Sequence, residues 1–295
     1  MFKLLRTFRV VYETKNFSKA ANQLFISQPA VSSQIKQLEQ ELEVTLFIRS
    51  GRQDIQTTKQ ADILYIRLLN LSDDWSETLQ ALNKKERAQE NCIIAASNTF
   101  AVHYLPELMK RAIQAFPTVS FSLEMGNSEE VLEKIEKHQA HFGFIEKPLI
   151  SETVIRKEIM RDELVLAGDL SQELWLVREE NSGVYHYTER FFLENNLNPE
   201  KLLIKNNEMI IKCLELGIGQ SILSKKGLPK TLSFKQLGDE YWRPFYSVKR
   251  THIKSRVLNE FGEFVHTYYE RETQTNLIER MRFLCILFLY FVHLG

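Results

Sequence analysis

The chain has 295 residues, of which 44% are hydrophobic and 26% are charged, and its 38 basic residues balance its 38 acidic residues. This composition is typical of globular proteins, excludes a disordered or fibrous chain, and leaves room for about two domains. Because the net charge is zero, any contact with nucleic acid has to be local. Residues 1–60 carry nine basic and five acidic residues, so a net charge of +4 lies at the N-terminus.

The three cysteines, Cys92, Cys213 and Cys285, are far apart. Their odd number and their spacing predict neither a disulfide framework nor a metal site and are typical of a reducing compartment. Basic residues interrupt the apolar stretch at the N-terminus, unlike in a signal peptide. The longest apolar run, residues 283–292, is about half of the roughly twenty residues that cross a bilayer. We therefore expect a cytoplasmic protein with no membrane partner.

Apolar residues at helical spacing predict three helices near the N-terminus. The first covers residues 2–14, and a short second helix covers residues 18–25 with Ser18 as its N-cap. The third begins after Ser27, a good capping residue, and tolerates Pro29 in its first turn. An apolar stripe along the third helix consists of Val31, Ile35, Leu38 and Leu42.

The opposite face of the third helix is polar at its amino end. Its side chains are those of Gln28, Ser32, Ser33 and Lys36. Such hydrogen-bonding groups suit base edges and phosphates in a DNA major groove. The alternative is a helix pair whose polar face meets only water, although such a face usually carries more glutamate and lysine. Two short helices of which the second is polar favour a helix-turn-helix.

Two extended stretches follow, joined by the turn-like dipeptide Ser50-Gly51 with Arg49 and Arg52 beside it. We interpret them as a β-hairpin wing whose arginines neutralise DNA phosphates or enter a minor groove. An ordinary solvated loop is the alternative. The wing completes a predicted DNA-binding domain.

Residues 58–82 form the longest predicted helix, and its apolar positions step alternately by three and four residues. Such a heptad seam predicts pairing with a second copy of the chain. The alternative is an amphipathic helix packed on its own domain. The polar segment 83–91 then indicates a domain boundary. The seam consists of Ala61, Leu64, Leu68, Leu71, Trp75, Thr78 and Leu82.

Strands and helices alternate from residue 91 onward, which predicts a parallel sheet with crossover helices. Ligands of such sheets bind beyond the carboxyl ends of the strands, against helix N-termini. Polar groups at three strand ends suit a small anion or polar metabolite, although each could equally cap a helix. They belong to Ser97, Asn98 and Thr99, to Asn127 and Ser128, and to Glu146.

The segment NFSKAANQLFISQPAVSSQIKQLEQELEVTLFIRSGR resembles the DNA-binding segment of LysR-type transcriptional regulators, with AA(x2)L, SQPAVS, QI, LE and LF(x)R in register. It departs at Glu43, where the family usually has glycine, and at Gln60-Ala61, where it usually has Ala-Gly. The resemblance implies a winged helix-turn-helix dimer on inverted-repeat promoter DNA, usually assembled into tetramers. It implies DNA contacts by Ser27, Gln28, Pro29, Ser32, Ser33 and Lys36, and by the wing residues Arg49 and Arg52.

The rest of the chain resembles the LysR effector domain, which has the two lobes of periplasmic binding proteins. Ser182-Gly183 before a helix and the motif at residues 217–219 support this resemblance. It implies that the chain returns to the first lobe around residues 242–269, and that Glu146 and the Ser182-Gly183 loop close the cleft. His141 stands where relatives commonly have aspartate, so the resemblance leaves the electrostatics of the pocket open.

We find no HExxH, CxxC, GxSxG or GxxxxGK[ST] motif and predict neither a catalytic centre nor a metal or cofactor. The predicted α/β architecture is a winged helix-turn-helix (1–58), a linker helix and hinge (59–90), a two-lobed effector-binding domain (91–270) and a C-terminal extension (271–295). The extension would pack as an extra helix or touch a membrane.

The expected function is sequence-specific regulation of transcription. The expected partners are double-stranded promoter DNA and a small metabolite such as a carboxylate, and the expected assembly is a homodimer or homotetramer. The alternative is a two-lobed binding protein or enzyme whose helical N-terminus does not bind DNA.

Overall fold

A computed structural model of the chain describes residues 1–50, 54–82, 90–251 and 253–271. The predicted wing residue Arg52 and all but the first residue of the predicted extension lie outside the described residues. The chain divides into two compact units, Met1–Ala88 and Gln89–Gly295. Within the described ranges, every helix is too short or too polar to cross a bilayer.

The N-terminal unit contains three short helices, a hairpin and one long helix, as the sequence predicted. These elements are α1 (Phe2–Thr14), α2 (Phe17–Leu24), α3 (Gln28–Leu42), β1 (Phe47–Ser50), β2 (Asp54–Thr57) and α4 (Lys59–Leu82). The core combines residues from all four helices, including Phe8, Ala21, Val31 and Ala61. The predicted stripe of α3 is buried except for Leu42, which is exposed at the end of the helix.

Helix α2 begins one residue earlier than predicted because Asn16, not Ser18, is its N-cap. The Asn16 side-chain oxygen accepts hydrogen bonds from the backbone N–H groups of Ser18 and Lys19, both at 2.9 Å. Ser27 caps α3 as predicted, with its hydroxyl accepting from the N–H of Ala30 at 3.3 Å. Both caps satisfy helix N–H groups that would otherwise lack a partner.

Both departures from the LysR pattern are accommodated. Glu43 follows α3 with a φ of 54°, in the left-handed region where glycine is the least strained residue. A side chain costs about 1 kcal/mol there, and the turn nevertheless forms. Ala61 is fully buried in the core, where its small side chain fits.

Nine described strands form the sheet of the C-terminal unit. They are β3 (Glu90–Ser97), β4 (Val119–Gly126), β5 (Phe142–Ile145), β6 (Val154–Gly168), β7 (Trp175–Val177), β8 (Lys201–Leu203), β9 (Gln220–Ser224), β10 (Phe234–Gln236) and β11 (Trp242–Arg250). The helices are α5 (Asn98–His103), α6 (Leu105–Ala115), α7 (Ser128–Glu136), α8 (Gly183–Glu194), α9 (Asn207–Glu215) and α10 (residues 256–271).

The sheet is shared by two lobes. Parallel strands β3, β4 and β5 belong to lobe one, and β7, β8 and β9 belong to lobe two. The long strands β6 and β11 pair with each other and connect the lobes. Strand β11 also pairs with β5, which confirms the expected return of the chain to lobe one. The sequence predicted parallel pairing for the last residues of β6, and this prediction is wrong. Strand β6 is antiparallel to both β9 and β11.

Candidate functional site

The amino end of α3 presents a preformed pair of polar side chains. The Gln28 amide nitrogen Nε2 donates to Ser32 Oγ at 2.9 Å, one helical turn further on. Ser32 is half-buried, whereas the other predicted contact residues, Ser27, Gln28, Pro29, Ser33 and Lys36, are exposed. Because donors and acceptors lie on one exposed helix face, this end of α3 can form hydrogen bonds to base edges.

Three hydrogen bonds that the sequence did not reveal hold α3 in place. The Thr7 hydroxyl on α1 donates to Gln34 Oε1 at 2.6 Å. Glu39 Oε1 accepts from the backbone N–H groups of Leu46 and Phe47, at 2.7 and 3.2 Å. Glu39 therefore fixes the start of the hairpin relative to α3.

The predicted hairpin forms as an antiparallel pair, from Phe47 opposite Thr57 to Ser50 opposite Asp54. Arg49 belongs to β1, and Arg52 lies outside the described residues. The hairpin geometry is that of a wing, while the DNA contacts of the two arginines stay predictions.

The heptad seam of α4 is divided between two environments. Leu68 is only 8% exposed and belongs to the core of its own unit, and Leu64 packs against that core. Leu68 therefore packs mainly within its own unit, and its contact with a second copy stays a prediction. Leu71, Trp75 and Leu82 are 60%, 53% and 74% exposed. The seam thus extends beyond the core that covers its first half.

The strand ends of lobe one converge as the sequence predicted. The register of β3 sets Ser97 opposite Gly126, the last residue of β4, and β5 pairs on the other side of β3. Ser128 Oγ accepts from the backbone N–H of Glu146 at 3.3 Å and donates to Glu146 Oε2 at 3.4 Å. Ser97, Ser128 and Glu146 therefore lie together at one edge of the sheet, and all three are buried.

A buried arginine, missed by the sequence analysis, completes this edge. Arg243 Nε donates to Asp162 Oδ2 at 2.8 Å, Nη1 to Glu146 Oε1 at 3.2 Å, and Nη2 to Thr99 Oγ1 at 2.9 Å. Burial lowers the pKa of Arg243, but Asp162 and Glu146 raise it by more, so its net pKa is above the usual value. The guanidinium is a permanent positive charge inside the protein.

Two contacts join the lobes at this edge. Asn207 Nδ2 at the start of α9 donates to Thr99 Oγ1 at 3.1 Å. A Cβ on Gly183, the first residue of α8, would lie 1.9 Å from Glu146 Cγ, so the helix rests directly on that side chain. Ser182 is the N-cap of α8, and its hydroxyl accepts from the N–H of Tyr185 at 3.2 Å.

An open cleft of about 870 Å³ is lined by both lobes. Asn98 and Asn127 line it, as predicted, together with Arg178 and Lys205 from lobe two. The other predicted effector residues do not line this cleft. Those residues are Ser97, Thr99, Ser128, Glu146, Ser182 and Gly183.

His141 lies just before β5, at the opposite end of that strand from Glu146. The imidazole Nδ1 accepts a hydrogen bond from the backbone N–H of Ile93 at 2.9 Å. The backbone N–H of His141 donates to the Ile93 carbonyl at 2.8 Å. This contact lies at the amino end of β5, whereas Glu146 follows the carboxyl end. The imidazole thus fixes β5 to β3 and does not set the electrostatics of the cleft.

A winged helix-turn-helix in one chain with a two-lobed ligand-binding domain defines an effector-responsive, DNA-binding regulator. The family model described as "Bacterial regulatory helix-turn-helix protein, lysR family" matches residues 2–62, and the one described as "LysR substrate binding domain" matches residues 85–269. The chain belongs to the LysR family. It is a DNA-binding transcription regulator with an effector-binding domain and not an enzyme.

Similar proteins agree with this membership. The HTH-type transcriptional regulator CysL of Bacillus subtilis (strain 168) is 32% identical over 255 residues, which cover 80% of this chain and 84% of CysL. A full-length OxyR variant from Pseudomonas aeruginosa has a TM-score of 0.60 at 16% identity, covering 91% of this chain and 94% of that one. CbnR complexed with its target DNA has a TM-score of 0.55 at 20% identity, covering 90% and 99%. The two solved structures show that the fold is shared.

Proposed function

We propose that the chain is a cytoplasmic homodimeric or homotetrameric regulator that binds promoter DNA through α3 and the hairpin and responds to a small carboxylate. The hydrogen-bonded pair of exposed Gln28 and half-buried Ser32 at the amino end of α3 carries the DNA part of the proposal. Side chains already held in position lose less conformational entropy when they bind bases. The regulator needs no cofactor besides the effector.

The DNA contacts divide into base contacts and phosphate contacts. Gln28, Ser32 and Ser33 are the candidates for base edges, with Ser27, Pro29 and Lys36 around them. Arg49 and Arg52 of the hairpin are the candidates for phosphates or a minor groove. The local net charge of +4 in residues 1–60 supports this assignment, because phosphates dominate the affinity for DNA.

Assembly uses the exposed half of α4. Leu71, Trp75 and Leu82 continue the stripe whose first half is buried, and the Phe2 ring lies 6.0 Å from the Trp75 ring. Exposed apolar side chains in one stripe favour burial against a second copy. Leu64 and Leu68 belong to the covered half of the stripe, and we propose that they support the pairing from there.

The effector enters the cleft between the lobes. Asn98 and Asn127 offer amide groups there. The charged residues of the lining are Arg178, Lys201 and Lys205 on the positive side and Glu130, Glu179 and Glu180 on the negative side, and Arg178 is paired with Glu179. Ser97, Thr99, Ser128 and Glu146 form the adjacent sheet edge, and Ser182-Gly183 closes it from lobe two. The N-termini of α7 and α9, capped by Asn127 and Asn206 at this cleft, favour a carboxylate ligand.

Selection from a random DNA library with the full-length chain tests the proposal. We expect enrichment of an inverted repeat, and a change in its binding upon addition of a carboxylate that raises the Tm in a thermal-shift screen. Absence of an enriched sequence would overturn the DNA part, and absence of a stabilising carboxylate would overturn the effector part.

A further inference from the structure

The protein's own carboxylate fills an anion position at the edge of the lobe-one sheet. Glu146, which follows β5, is only 7% exposed. Its Oε1 accepts from Arg243 Nη1 at 3.2 Å, and its Oε2 accepts from Ser128 Oγ at 3.4 Å. Ser128 is the first residue of α7, so the carboxylate lies where the helix N–H groups favour negative charge. An arginine, a hydroxyl and a helix N-terminus thus surround one carboxylate.

A second helix N-terminus, from the other lobe, rests on the same side chain. Gly183 is the first residue of the 12-residue helix α8. A Cβ there would lie 1.9 Å from Glu146 Cγ and 2.9 Å from Oε1, so only glycine permits this approach. The Glu146 carboxylate is therefore a contact between lobe one and lobe two.

The same edge holds a buried hydroxyl that Glu146 does not engage. Ser97 is 1% exposed, and its Oγ has no hydrogen-bond partner among the described residues. The strand register sets Ser97 opposite Gly126, two residues before Ser128. Since a buried polar group without a partner is costly, this hydroxyl indicates a place for a further ligand oxygen.

We propose that Glu146 is a built-in competitor of the effector. In the effector-free chain its carboxylate occupies the anion position, and a carboxylate effector replaces it at Ser128 and Arg243 while also reaching Ser97. This inference rests on the proposed carboxylate effector. The exchange keeps two carboxylates beside Arg243, that of Asp162 and that of the effector in place of Glu146, so the balance of charge around the buried cation does not change.

The exchange couples ligand binding to the lobes. When Glu146 leaves Ser128 and Arg243, the surface under Gly183 changes and α8 loses the side chain on which it rests. Lobe two then has to shift relative to lobe one. A tethered carboxylate competes at an effective concentration on the order of mM, so it also sets a high threshold for the effector.

Thermal unfolding of the full-length chain in sodium acetate tests the competition. Glu146→Gln keeps the shape against Gly183 but removes the competing charge. Sodium chloride at equal ionic strength is the salt control. Glu129→Gln is the matched control variant, because Glu129 is exposed on the same turn of α7 as Ser128 and pairs with Lys147. We expect the half-maximal acetate concentration for stabilisation to fall about tenfold in Glu146→Gln and to stay unchanged in Glu129→Gln.

Equal acetate midpoints in the wild type and Glu146→Gln would overturn the inference, and so would an absence of any acetate effect in Glu146→Gln. Should Glu146→Gln fail to fold, Ser97→Ala serves instead, and we expect it to raise the acetate midpoint of the wild-type chain severalfold. An unchanged midpoint in Ser97→Ala would then overturn the proposal. Binding of the selected DNA by the wild type is measured in parallel without acetate. Failure of the wild type to bind this DNA would contradict the proposed function and not the inference about Glu146.

Discussion

Arg243 and Asp162 face each other across neighbouring antiparallel strands, and their side chains meet at 2.8 Å. The other oxygen of Asp162 accepts from the hydroxyls of Tyr104 and Ser224, each at 2.6 Å. Tyr104 precedes α6 in lobe one, and Ser224 ends β9 in lobe two. One carboxylate thus joins both lobes to the strands that connect them.

Asp162→Leu should lower the free energy of unfolding by about 3–5 kcal/mol, because it leaves a buried guanidinium with one carboxylate fewer. The triple variant that adds Arg243→Met and Glu146→Gln should lose less, since no buried charge of this cluster then lacks its partner. Urea unfolding of the full-length chain measures both. A triple variant less stable than Asp162→Leu would contradict this account.

Thr99→Val should destabilise the C-terminal unit by roughly 1–3 kcal/mol. Thr99 Oγ1 accepts from Arg243 and from Asn207, so valine leaves two buried donors without their acceptor. The sequence had suggested a direct ligand contact at Thr99, whereas the structure uses this hydroxyl between the lobes. Urea unfolding measures this loss in the free energy of unfolding. Thr267→Val, on an exposed face of α10, is the control and should change the stability by less than about 0.5 kcal/mol.

Leu71→Glu combined with Trp75→Glu should reduce the mass of the assembly in light scattering. Both side chains are more than half exposed in the described chain, so charges there disturb a partner and not the unit's own core. Leu68→Ala is the matched control on the same stripe. It should cost about 2–5 kcal/mol of stability through a core cavity and leave the mass unchanged. An unchanged mass of the double variant at micromolar concentration would exclude α4 as the pairing surface.

Gln28→Ala and Ser32→Ala should each reduce discrimination between selected and scrambled DNA by about 1–3 kcal/mol per lost base contact. Arg52→Ala should weaken binding to both DNAs similarly and flatten the salt dependence, as expected of a phosphate contact. Gel-shift titrations at two salt concentrations separate these effects. Gln40→Ala, exposed near the other end of α3, is the control and should leave discrimination unchanged.

Local periodicity predicted the four helices of the N-terminal unit, because each apolar stripe is set by neighbours within a few residues. The same periodicity could not separate Leu68 from Leu71. Their heptad positions are equivalent, and only the extent of the three-dimensional core makes one buried and the other exposed.

Arg243 was missed for a related reason. Its partner Asp162 is 81 residues away, and only the pairing of β6 with β11 brings them together. Sequence reasoning did find Ser97, Ser128 and Glu146, since polar groups at the carboxyl ends of parallel strands share one edge. It could not tell that Glu146 bonds to the protein itself.

We expect a further contact between the lobes, that of His103 with Glu208, to be sensitive to acid. His103 Nε2 on α5 lies 3.5 Å from Glu208 Oε1 on α9. Burial lowers the pKa of His103, and the nearby cations Arg243 and Lys226 lower it further. The carboxylates of Glu208 and Asp162 raise it by less, so the net pKa is below the usual value. The folded chain therefore holds this proton less tightly than the unfolded chain does.

The sign of the pH dependence follows from that difference. Because the unfolded chain binds the proton first, the stability linked to His103 is complete above the ordinary histidine pKa of about 6.5 and is lost as the pH falls below it. Urea unfolding of the wild type between pH 7.5 and 5.5 should show a steeper loss of stability than His103→Gln. His186→Gln, exposed on α8, is the control and should keep the wild-type slope. Equal slopes for the wild type and His103→Gln would show that this histidine does not report on the contact between the lobes.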